Sequence, residues 1–331
     1  HALACNTTAS YNTAVGACAL YANTTGPYVT GLGYRALKAN TTGEYNTAVG
    51  YSLVNNTTGA SNAGFGTDTL NQNTTGGCNT AIGIGSLNSN TTASYNTAVG
   101  GCSLFANTTG ASNTAVGFKA LVANTCGNCN TALGNSAMIA NTTGYSNTAV
   151  GFLALCANTT GYSNVAVGRN SLRCATANNN TAIGAFTLTD NTTGVENTAS
   201  GYGALGDNTS GSENTALGHL ALRLNTTGSC NVGIGPHSLY TNTTGAKNIA
   251  IGRVAMYKNT SGCLNTASGY GASYENTTGC LNTASGFYAL RNNTIACFNT
   301  AVGACTLYAN TTGCQNAAFG FKALVANTCG N

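Results

Sequence analysis

Charged residues are scarce in this chain: 11 Lys and Arg and 7 Asp and Glu make up only 5% of its 331 residues. Soluble globular domains usually carry about 25% charged residues. A net charge of +4 is too dilute for nucleic-acid binding, which needs clustered Lys and Arg. The chain has only two Pro and no Trp, which argues against a collagen-like or Pro-rich chain. No apolar run approaches the ~18 residues that a membrane helix needs. We therefore expect no collagen-like chain, no nucleic-acid partner and no membrane span.

The sequence consists instead of a short internal repeat, N-T-T-G-x-x-N-T-A-V-G-x-x-A-L-x-A, whose positions we number 1 to 17. Nineteen complete units have 17 residues each, except those starting at Asn40 and Asn158, which have 16. Repeats must be recognised first, because they generate spurious motifs. The units start at Asn6, Asn23, Asn40, Asn56, Asn73, Asn90, Asn107, Asn124, Asn141, Asn158, Cys174, Asn191, Asn208, Asn225, Asn242, Asn259, Asn276, Asn293 and Asn310.

The composition of each position predicts an all-β, parallel β-solenoid with one unit per coil and about 19 coils. Position 11 is always Gly, position 10 is apolar in 16 of the 19 units, and position 15 is Leu or Met in 18, with Ser273 as the exception. We expect positions 8 to 10 to form a short strand with positions 8 and 10 facing inward, and position 15 to supply a second inward anchor. A helical repeat is excluded, because the consensus, which is interrupted by Gly at positions 4 and 11, leaves no stretch of about ten residues free of Gly, and because Asn, Thr and Gly are poor helix formers.

The array is expected to be one continuous domain over residues 1–331. It begins at position 13 of the repeat and ends at position 5, with no polar cap at either end. Solenoids need capped ends to avoid edge-to-edge pairing. The sequence therefore predicts either a segment of a longer chain or protomers stacked end to end.

The stretch N-T-A-V-G-x-x-A-L, as in Asn46 to Gly50 and Asn113 to Leu121, resembles the S-V-A-I-G-x-x-S repeat of trimeric autotransporter adhesin heads. That resemblance implies a left-handed parallel β-roll with the two apolar residues of the motif inward. The unit here is about three residues longer, and the chain has no coiled-coil stalk. Similar Asn/Thr-rich repeats occur in phage and algal-virus fibres, so the resemblance implies an elongated extracellular fibre.

Positions 1 to 3 form an N-glycosylation sequon in 16 of the 19 units, and Asn55, Asn179 and Asn292 head further sequons. Glycans there would replace the missing charge as the source of solubility. A ladder of stacked Asn amides is the alternative for this column, and such a ladder is the predicted role of the Asn at position 7. The predicted glycosylation sites are Asn6, Asn23, Asn40, Asn56, Asn73, Asn90, Asn107, Asn141, Asn158, Asn191, Asn208, Asn225, Asn242, Asn259, Asn276 and Asn310.

Four of the 15 cysteines, Cys263, Cys280, Cys297 and Cys314, occupy position 5 of consecutive units. In-register stacking brings neighbouring Cα atoms within disulfide range. We expect Cys263 to pair with Cys280 and Cys297 with Cys314; a Cys280–Cys297 bridge and a column of buried thiols are the alternatives. Disulfides would fit an oxidising, extracellular setting.

Candidate metal sites are few. The motif Cys126-x-x-Cys129 has no second pair, so zinc is not expected. Asp190 and Asp207 share position 17 of adjacent units, and Glu196 and Glu213 share position 6. Stacked like charges need solvation or a bridging cation, so this patch is a weak Ca²⁺ candidate, with a solvated acidic turn as the alternative.

No catalytic constellation is expected. Gly201-Tyr-Gly-Ala-Leu-Gly206 matches the dinucleotide pattern GxGxxG, but its glycines follow the repeat and no βαβ unit surrounds them. The three histidines occupy different repeat positions, so no Ser-His-Asp arrangement is apparent. The sequence therefore predicts a protein that is not an enzyme.

Aromatic residues recur at position 12, just after the invariant Gly. They either form an exposed stripe suited to packing between chains or fold over the corner of the coil. The residues are Tyr34, Tyr51, Phe118, Phe152, Tyr202, Tyr270, Phe287 and Phe321.

Together these features predict an extracellular structural protein of a cell or virion surface that self-associates into a fibre. The second hypothesis is an adhesin or viral-fibre module that binds a cell-surface or glycan receptor. The third is ice binding by threonine columns, which the expected inward orientation of position 8 disfavours. No cofactor other than covalent glycans, and Ca²⁺ as a weak candidate, is expected.

Overall fold

The computed structural model describes residues 1–330, and they form an all-β parallel solenoid of about 18 turns, which confirms the predicted fold class. Asn331, the last residue of the predicted array, lies outside the described residues. Residues 1–330 contain no helix, and so none that is long and apolar enough to cross a membrane. The strands are β1 Thr13–Val15, β2 Thr30–Leu32, β3 Thr47–Val49, β4 Ala63–Phe65, β5 Thr80–Ile82, β6 Thr97–Val99, β7 Thr114–Val116, β8 Thr131–Leu133, β9 Thr148–Val150, β10 Val165–Val167, β11 Thr181–Ile183, β12 Thr198–Ser200, β13 Thr215–Leu217, β14 Val232–Ile234, β15 Ile249–Ile251, β16 Thr266–Ser268, β17 Thr283–Ser285, β18 Thr300–Val302 and β19 Ala317–Phe319.

Successive strands pair in parallel and in register, so that equivalent repeat positions lie side by side. Thr97 pairs with Thr114 and Ala98 with Ala115, for example. The chain divides into two compact units, which we call unit 1 (residues 1–163, with β1 to β9) and unit 2 (from residue 164, with β10 to β19). Each unit is therefore a stack of columns made of the same repeat positions.

The strand turns the opposite face inward from the one that the sequence predicts. Position 9, always Ala or Gly, is buried, as at Ala98 and Ala115, whereas the aliphatic residue at position 10 is half-exposed, as at Val116. A Cβ added at Gly31, also position 9, would lie 3.3 Å from the Leu20 Cγ atom. The coil is so thin that only a small side chain fits opposite the buried leucine.

The interior of each coil holds the leucine of position 15, small residues at positions 9 and 14, and two asparagines. Leu104 and Ser103 are fully buried, and Leu53 is as well, which confirms its assignment to position 15 of the shorter unit. The leucines adopt a left-handed backbone, with φ of 49° at Leu104. That conformation costs about 1–2 kcal/mol for a non-glycine residue. It persists here because the Leu104 N–H donates to the Ala120 carbonyl on the next coil at 3.0 Å.

The glycine of position 11 ends the strand. Gly117 has φ of 132°, and a Cβ placed there would lie 2.6 Å from the Gly134 carbonyl oxygen of the next coil. Both the backbone angle and the close stacking therefore require glycine.

One boundary of the repeat differs from the sequence alignment. The Ala175 N–H donates to the Leu172 carbonyl, as the Asn at position 1 does in other coils, and Ala175 is buried in that column. The unit assigned to Cys174 thus begins at Ala175, and the missing residue falls between Thr176 and Ala177. The backbone hydrogen bond of Ala175 determines this register, and the sequence of the repeat alone does not show it.

Candidate functional surfaces

The column predicted to carry glycans is a buried ladder of asparagine side chains. Of the 16 predicted sites only Asn6 is exposed; the other 15 are at most 1% exposed. In the coils of unit 1, the Asn40 Nδ2 atom donates to Asn23 Oδ1 and to the Gly43 carbonyl, both at 2.9 Å. The same pair of bonds recurs at Asn225, which donates to Asn208 and Gly228.

This ladder leaves no room for a glycan on the folded coil. An N-glycan is attached through Nδ2, and that atom already donates inside the protein: with both hydrogens in most coils, as at Asn40, and with one at Asn23 and Asn191. The 15 buried members of the column therefore have a structural role, in agreement with the ladder alternative. Of the sequon asparagines, Asn6, Asn55 and Asn179 have exposed side chains.

A second buried ladder follows position 7, as the sequence predicts. The Asn46 Oδ1 atom accepts the backbone N–H of Asn62 at 2.9 Å, and its Nδ2 donates to the Gly59 carbonyl at 2.7 Å. Where valine replaces asparagine at Val29, its backbone N–H still bonds to Asn12 at 2.9 Å. The two ladders satisfy polar groups that a wholly apolar interior would leave unpaired.

The four cysteines of position 5 form one column, which confirms their placement on successive coils. The Cys263 N–H donates to Cys280 Sγ at 3.1 Å, and the Cys280 N–H donates to Cys297 Sγ at 3.1 Å. Ser229 accepts the Ser212 N–H in the same way at 3.0 Å. Within residues 1–330 no disulfide joins any cysteines, so the pairings of Cys263 with Cys280 and of Cys297 with Cys314 stay predictions.

The surroundings of Cys280 disfavour its thiolate. Burial raises the pKa of the Cys280 thiol, the hydrogen bond from the Cys263 backbone N–H lowers it, and the neighbouring Cys263 and Cys297 thiols raise it. The thiolate is the nucleophile in disulfide exchange, so a raised pKa slows that reaction.

The acidic residues considered as a Ca²⁺ patch have other partners. Asp190 lies 3.6 Å from the Arg173 guanidinium, and Asp207 pairs with Arg223. Glu196 and Glu213 are exposed, which fits the solvated alternative. Within residues 1–330 no group of three or more His, Cys, Asp or Glu side chains could hold a metal ion, and this includes Cys126 and Cys129. The arginines, one coil away from each Asp, were the partners that the sequence analysis missed.

The outward face of each strand is an uncharged surface made of two columns. Position 8 is Thr, Val, Ile or Ala and position 10 is Val, Leu, Ile, Phe or Ser in all 19 strands. Leu133 and Ile82 of position 10 are 37% and 41% exposed. We call this surface the strand face. The constant Ala or Gly at position 9 was the signal that could have revealed it, because only a buried position in a thin coil must be small.

The aromatic residues of position 12 lie on the outside, which decides between the two alternatives that the sequence leaves open. Seven of the eight are exposed and Tyr51 is half-buried. Other aromatic columns stack along the coils, as at Tyr28 and Tyr45, whose ring centroids are 5.1 Å apart. The exterior therefore presents exposed aromatic columns in addition to the uncharged strand face.

Two histidines of unit 2 lie together on adjacent coils, at positions 12 and 13 of the repeat. The ring centroids of His219 and His237 are 5.2 Å apart. Burial lowers the pKa of His237, and the charges of His219 and Arg253 lower it further. No carboxylate is among the contacts that shift this pKa, so the pair lacks the third member of a catalytic triad.

The chain matches no protein-family model, and no curated protein is significantly similar to it.

Proposed function

We propose that this protein is a structural β-solenoid that associates through its strand face with further copies of itself to form a fibre. The observation that carries the proposal is the strand face itself. In unit 1 all nine residues at position 10 are apolar, and no residue of positions 8 or 10 is charged. Contiguous exposed apolar surface marks sites of association.

The regular register supports self-association rather than capture of an unrelated partner. Successive coils present the same side chains at a spacing of about 4.8 Å. A second copy carries the same spacing, so that each outward residue can repeat the same contact along the whole stack. Positions 8 and 10 carry no charged residue, so no repulsion between like charges opposes such a contact.

We also propose an extracellular location, at a cell or virion surface, and no enzymatic activity. The exterior offers little charge and much Thr, Tyr and aliphatic surface, which suits permanent packing better than free diffusion. Any N-glycan is proposed for the exposed Asn6, Asn55 and Asn179.

Lateral assembly is tested by placing charge on the strand face. The variant Val116→Lys/Leu133→Lys puts two ammonium groups on adjacent strands without touching the buried columns. The matched control is Ser112→Lys at position 6, an exposed position that Lys247 occupies in another coil. Electron microscopy and sedimentation velocity of the wild type should show fibres, lost in the strand-face variant and kept in the control. Discrete particles of the wild type at every concentration would contradict the proposal.

Disulfide pairing in the position 5 column is a separate part of the proposal. These are the only cysteines that share one repeat position on consecutive coils. Peptide mapping without reduction should recover Cys263 linked to Cys280 and Cys297 linked to Cys314. Cys102, which has no cysteine at position 13 of the neighbouring coils, is the internal control and should be recovered unlinked.

Ice binding is the second candidate, and one observation favours it: the threonines of position 8 lie outward, as do the aliphatic residues of position 10. The inward orientation that the sequence predicts for position 8 would have disfavoured this function. Thermal hysteresis in solution is the test, with Thr97→Lys/Thr114→Lys as the variant and Ser112→Lys as the control. Hysteresis in the wild type and control that the variant abolishes would support it, and its absence in the wild type removes it.

A receptor-binding module, such as an adhesin or viral-fibre head, is the remaining alternative. Short discrete particles rather than long fibres in the same micrographs would favour it.

A further inference from the structure

An open groove of about 290 Å³ lies on unit 2, where one coil lacks two outward side chains. In the coil that starts at Asn191, positions 13 and 16 are Gly203 and Gly206, and in no other unit are both positions glycine. These are the glycines of the GxGxxG match. The groove is lined by Arg173, Phe186, Thr189, Asp190, Tyr202, Gly203 and Arg223.

The two glycines shape the groove directly. A Cβ at Gly206 would lie 2.6 Å from the Arg223 Nη1 atom, so the guanidinium of the next coil occupies the space that a side chain would fill. A Cβ at Gly203 would lie 2.7 Å from the Leu220 Cδ2 atom. Gly203 has φ of 62°, a value that non-glycine residues also adopt at position 13, such as Lys119 at 55°. The backbone therefore does not require glycine there, whereas the close approach of the Leu220 side chain does, and the missing side chain leaves the groove open at Gly203.

Aromatic rings form the apolar part of the groove. Phe186 and Tyr202 meet edge to face, with ring centroids 5.7 Å apart, and the Tyr202 side chain is about half-exposed. The Arg169 guanidinium lies 5.6 Å from the Phe186 ring centroid on the neighbouring surface. Exposed rings of this kind pack against C–H groups of a ligand.

The polar part of the groove is balanced in charge. Arg173 pairs with Asp190 at 3.6 Å, and Arg223 pairs with Asp207. Each pair places the donors of a guanidinium beside the acceptors of a carboxylate. Because each lining arginine is already paired with a carboxylate, an anionic ligand would have to compete with that carboxylate.

One lining hydroxyl has no partner in the protein. The Thr189 Oγ1 atom is buried and makes no hydrogen bond with the described residues. Buried polar atoms are normally paired, so an unpaired one in a groove indicates a place for a ligand hydroxyl or a water molecule.

We propose that this groove binds a neutral sugar residue, as the end or a branch of an oligosaccharide. Vicinal hydroxyls match the paired donors and acceptors of the Arg–Asp pairs, the C–H face of a pyranose matches the Tyr202 ring, and Thr189 supplies a further hydrogen bond. The groove volume holds one sugar ring rather than a long chain. The strand face plays no part in this site, so the proposal is independent of fibre formation.

The test is ligand-observed NMR and calorimetry of the whole chain with a panel of maltotriose, mannotriose, N-acetylchitotriose, glucuronic acid and inorganic sulfate. We expect at least one neutral sugar to bind in the millimolar range, with affinity unchanged between low and high salt. Binding of glucuronate or sulfate alone, or of none of the panel at tens of millimolar, overturns the proposal.

Two variant pairs locate the binding in the groove. Gly203→Asn fills the groove, and its control is Gly85→Asn, at the same repeat position with φ of 67° in unit 1. Tyr202→Ala removes the ring, and its control is Phe118→Ala, also an exposed position 12 residue. Each groove variant should weaken binding at least tenfold, and neither control should change it. Equal effects of variant and control would place the sugar elsewhere.

Thr189→Val separates binding from folding. The hydroxyl has no partner in the protein, so its replacement by an isosteric methyl should leave the unfolding midpoint unchanged or raised. Sugar affinity should fall about three- to tenfold. Unchanged affinity would contradict the assigned role of this hydroxyl.

Discussion

Units 1 and 2 share one architecture but differ in both their interior and their surface. In unit 1 the leucine column and the position 1 asparagine column are uninterrupted, whereas unit 2 has Ser273 in the first and Ala175 in the second. Unit 1 carries 5 of the 18 charged residues and unit 2 carries 13. All three ion pairs of the described residues and the groove are in unit 2. The repeated positions thus specify the fold, and the departures from the repeat are where a specific function can be built.

The largest effect is expected from glycine at position 11, which neither unit replaces. Gly117→Ala combines an unfavourable φ with a contact 2.6 Å from the next coil, and should cost about 4 kcal/mol. Gly320→Ala, with φ of 108° and no atom within 4 Å of the added Cβ, should cost only the backbone part, about 1–3 kcal/mol. Urea unfolding of both variants gives the difference. Equal losses would show that stacking does not require glycine.

The next largest effect on stability is expected from the leucine column of position 15. Leu104→Ala opens a cavity in unit 1 and should cost about 2–5 kcal/mol. Ser273, 2% exposed with an unpaired hydroxyl, has the same left-handed φ, 49°, as the leucines. Ser273→Leu should therefore stabilise unit 2 by about 1–2 kcal/mol. Hydrogen exchange of the flanking coils measures both changes, and a destabilised Ser273→Leu variant would show that the column of unit 2 has a different shape.

The repeat predicted the solenoid, the parallel register, the asparagine ladder of position 7, the ladder of position 1 as an alternative, and the cysteine column. Each of these depends only on equal spacing along the chain. The repeat failed on which face of the strand is buried. The two-residue period of a strand places the side chains of positions 8 and 10 on one face and that of position 9 on the other. Hydrophobicity does not show which of these faces is buried, because the Ala of position 9 is also apolar. The partners of Asp190 and Asp207 were also missed, because they lie one coil away at position 16 rather than in the same column. The groove was not predicted either, because it arises where Gly203 and Gly206 lack side chains and not from a motif of functional groups.

A smaller effect on stability is expected from the asparagine ladder of position 1, which is continuous in unit 1 and interrupted in unit 2. Asn107→Ala removes the acceptor of the Asn124 Nδ2 atom, 2.8 Å away, and should cost about 2 kcal/mol. In unit 2 the Asn191 side chain donates to the Gly194 carbonyl at 2.9 Å, and Ala175 precedes it in the column. Ala175→Asn should therefore gain about 1 kcal/mol. Thermal unfolding with hydrogen exchange of the Asn191 and Asn124 side-chain amides reports both, and a neutral Asn107→Ala would refute the structural role of the ladder.

The smallest expected difference between the units is their response to mild acid. His237 has a lowered pKa, so the folded state binds a proton less readily than the unfolded chain. Its contribution to stability is complete above the ordinary histidine pKa of about 6.5 and declines as the pH falls below it. Hydrogen exchange at pH 7 and pH 5, corrected for intrinsic rates, should show faster opening of the coils around His219 and His237. The central coils of unit 1, where His1 is the only histidine, should not respond. His219→Asn removes one of the charges that lower this pKa, so the NMR titration of His237 should move upward; an unchanged titration would leave burial and the Arg253 charge as the causes.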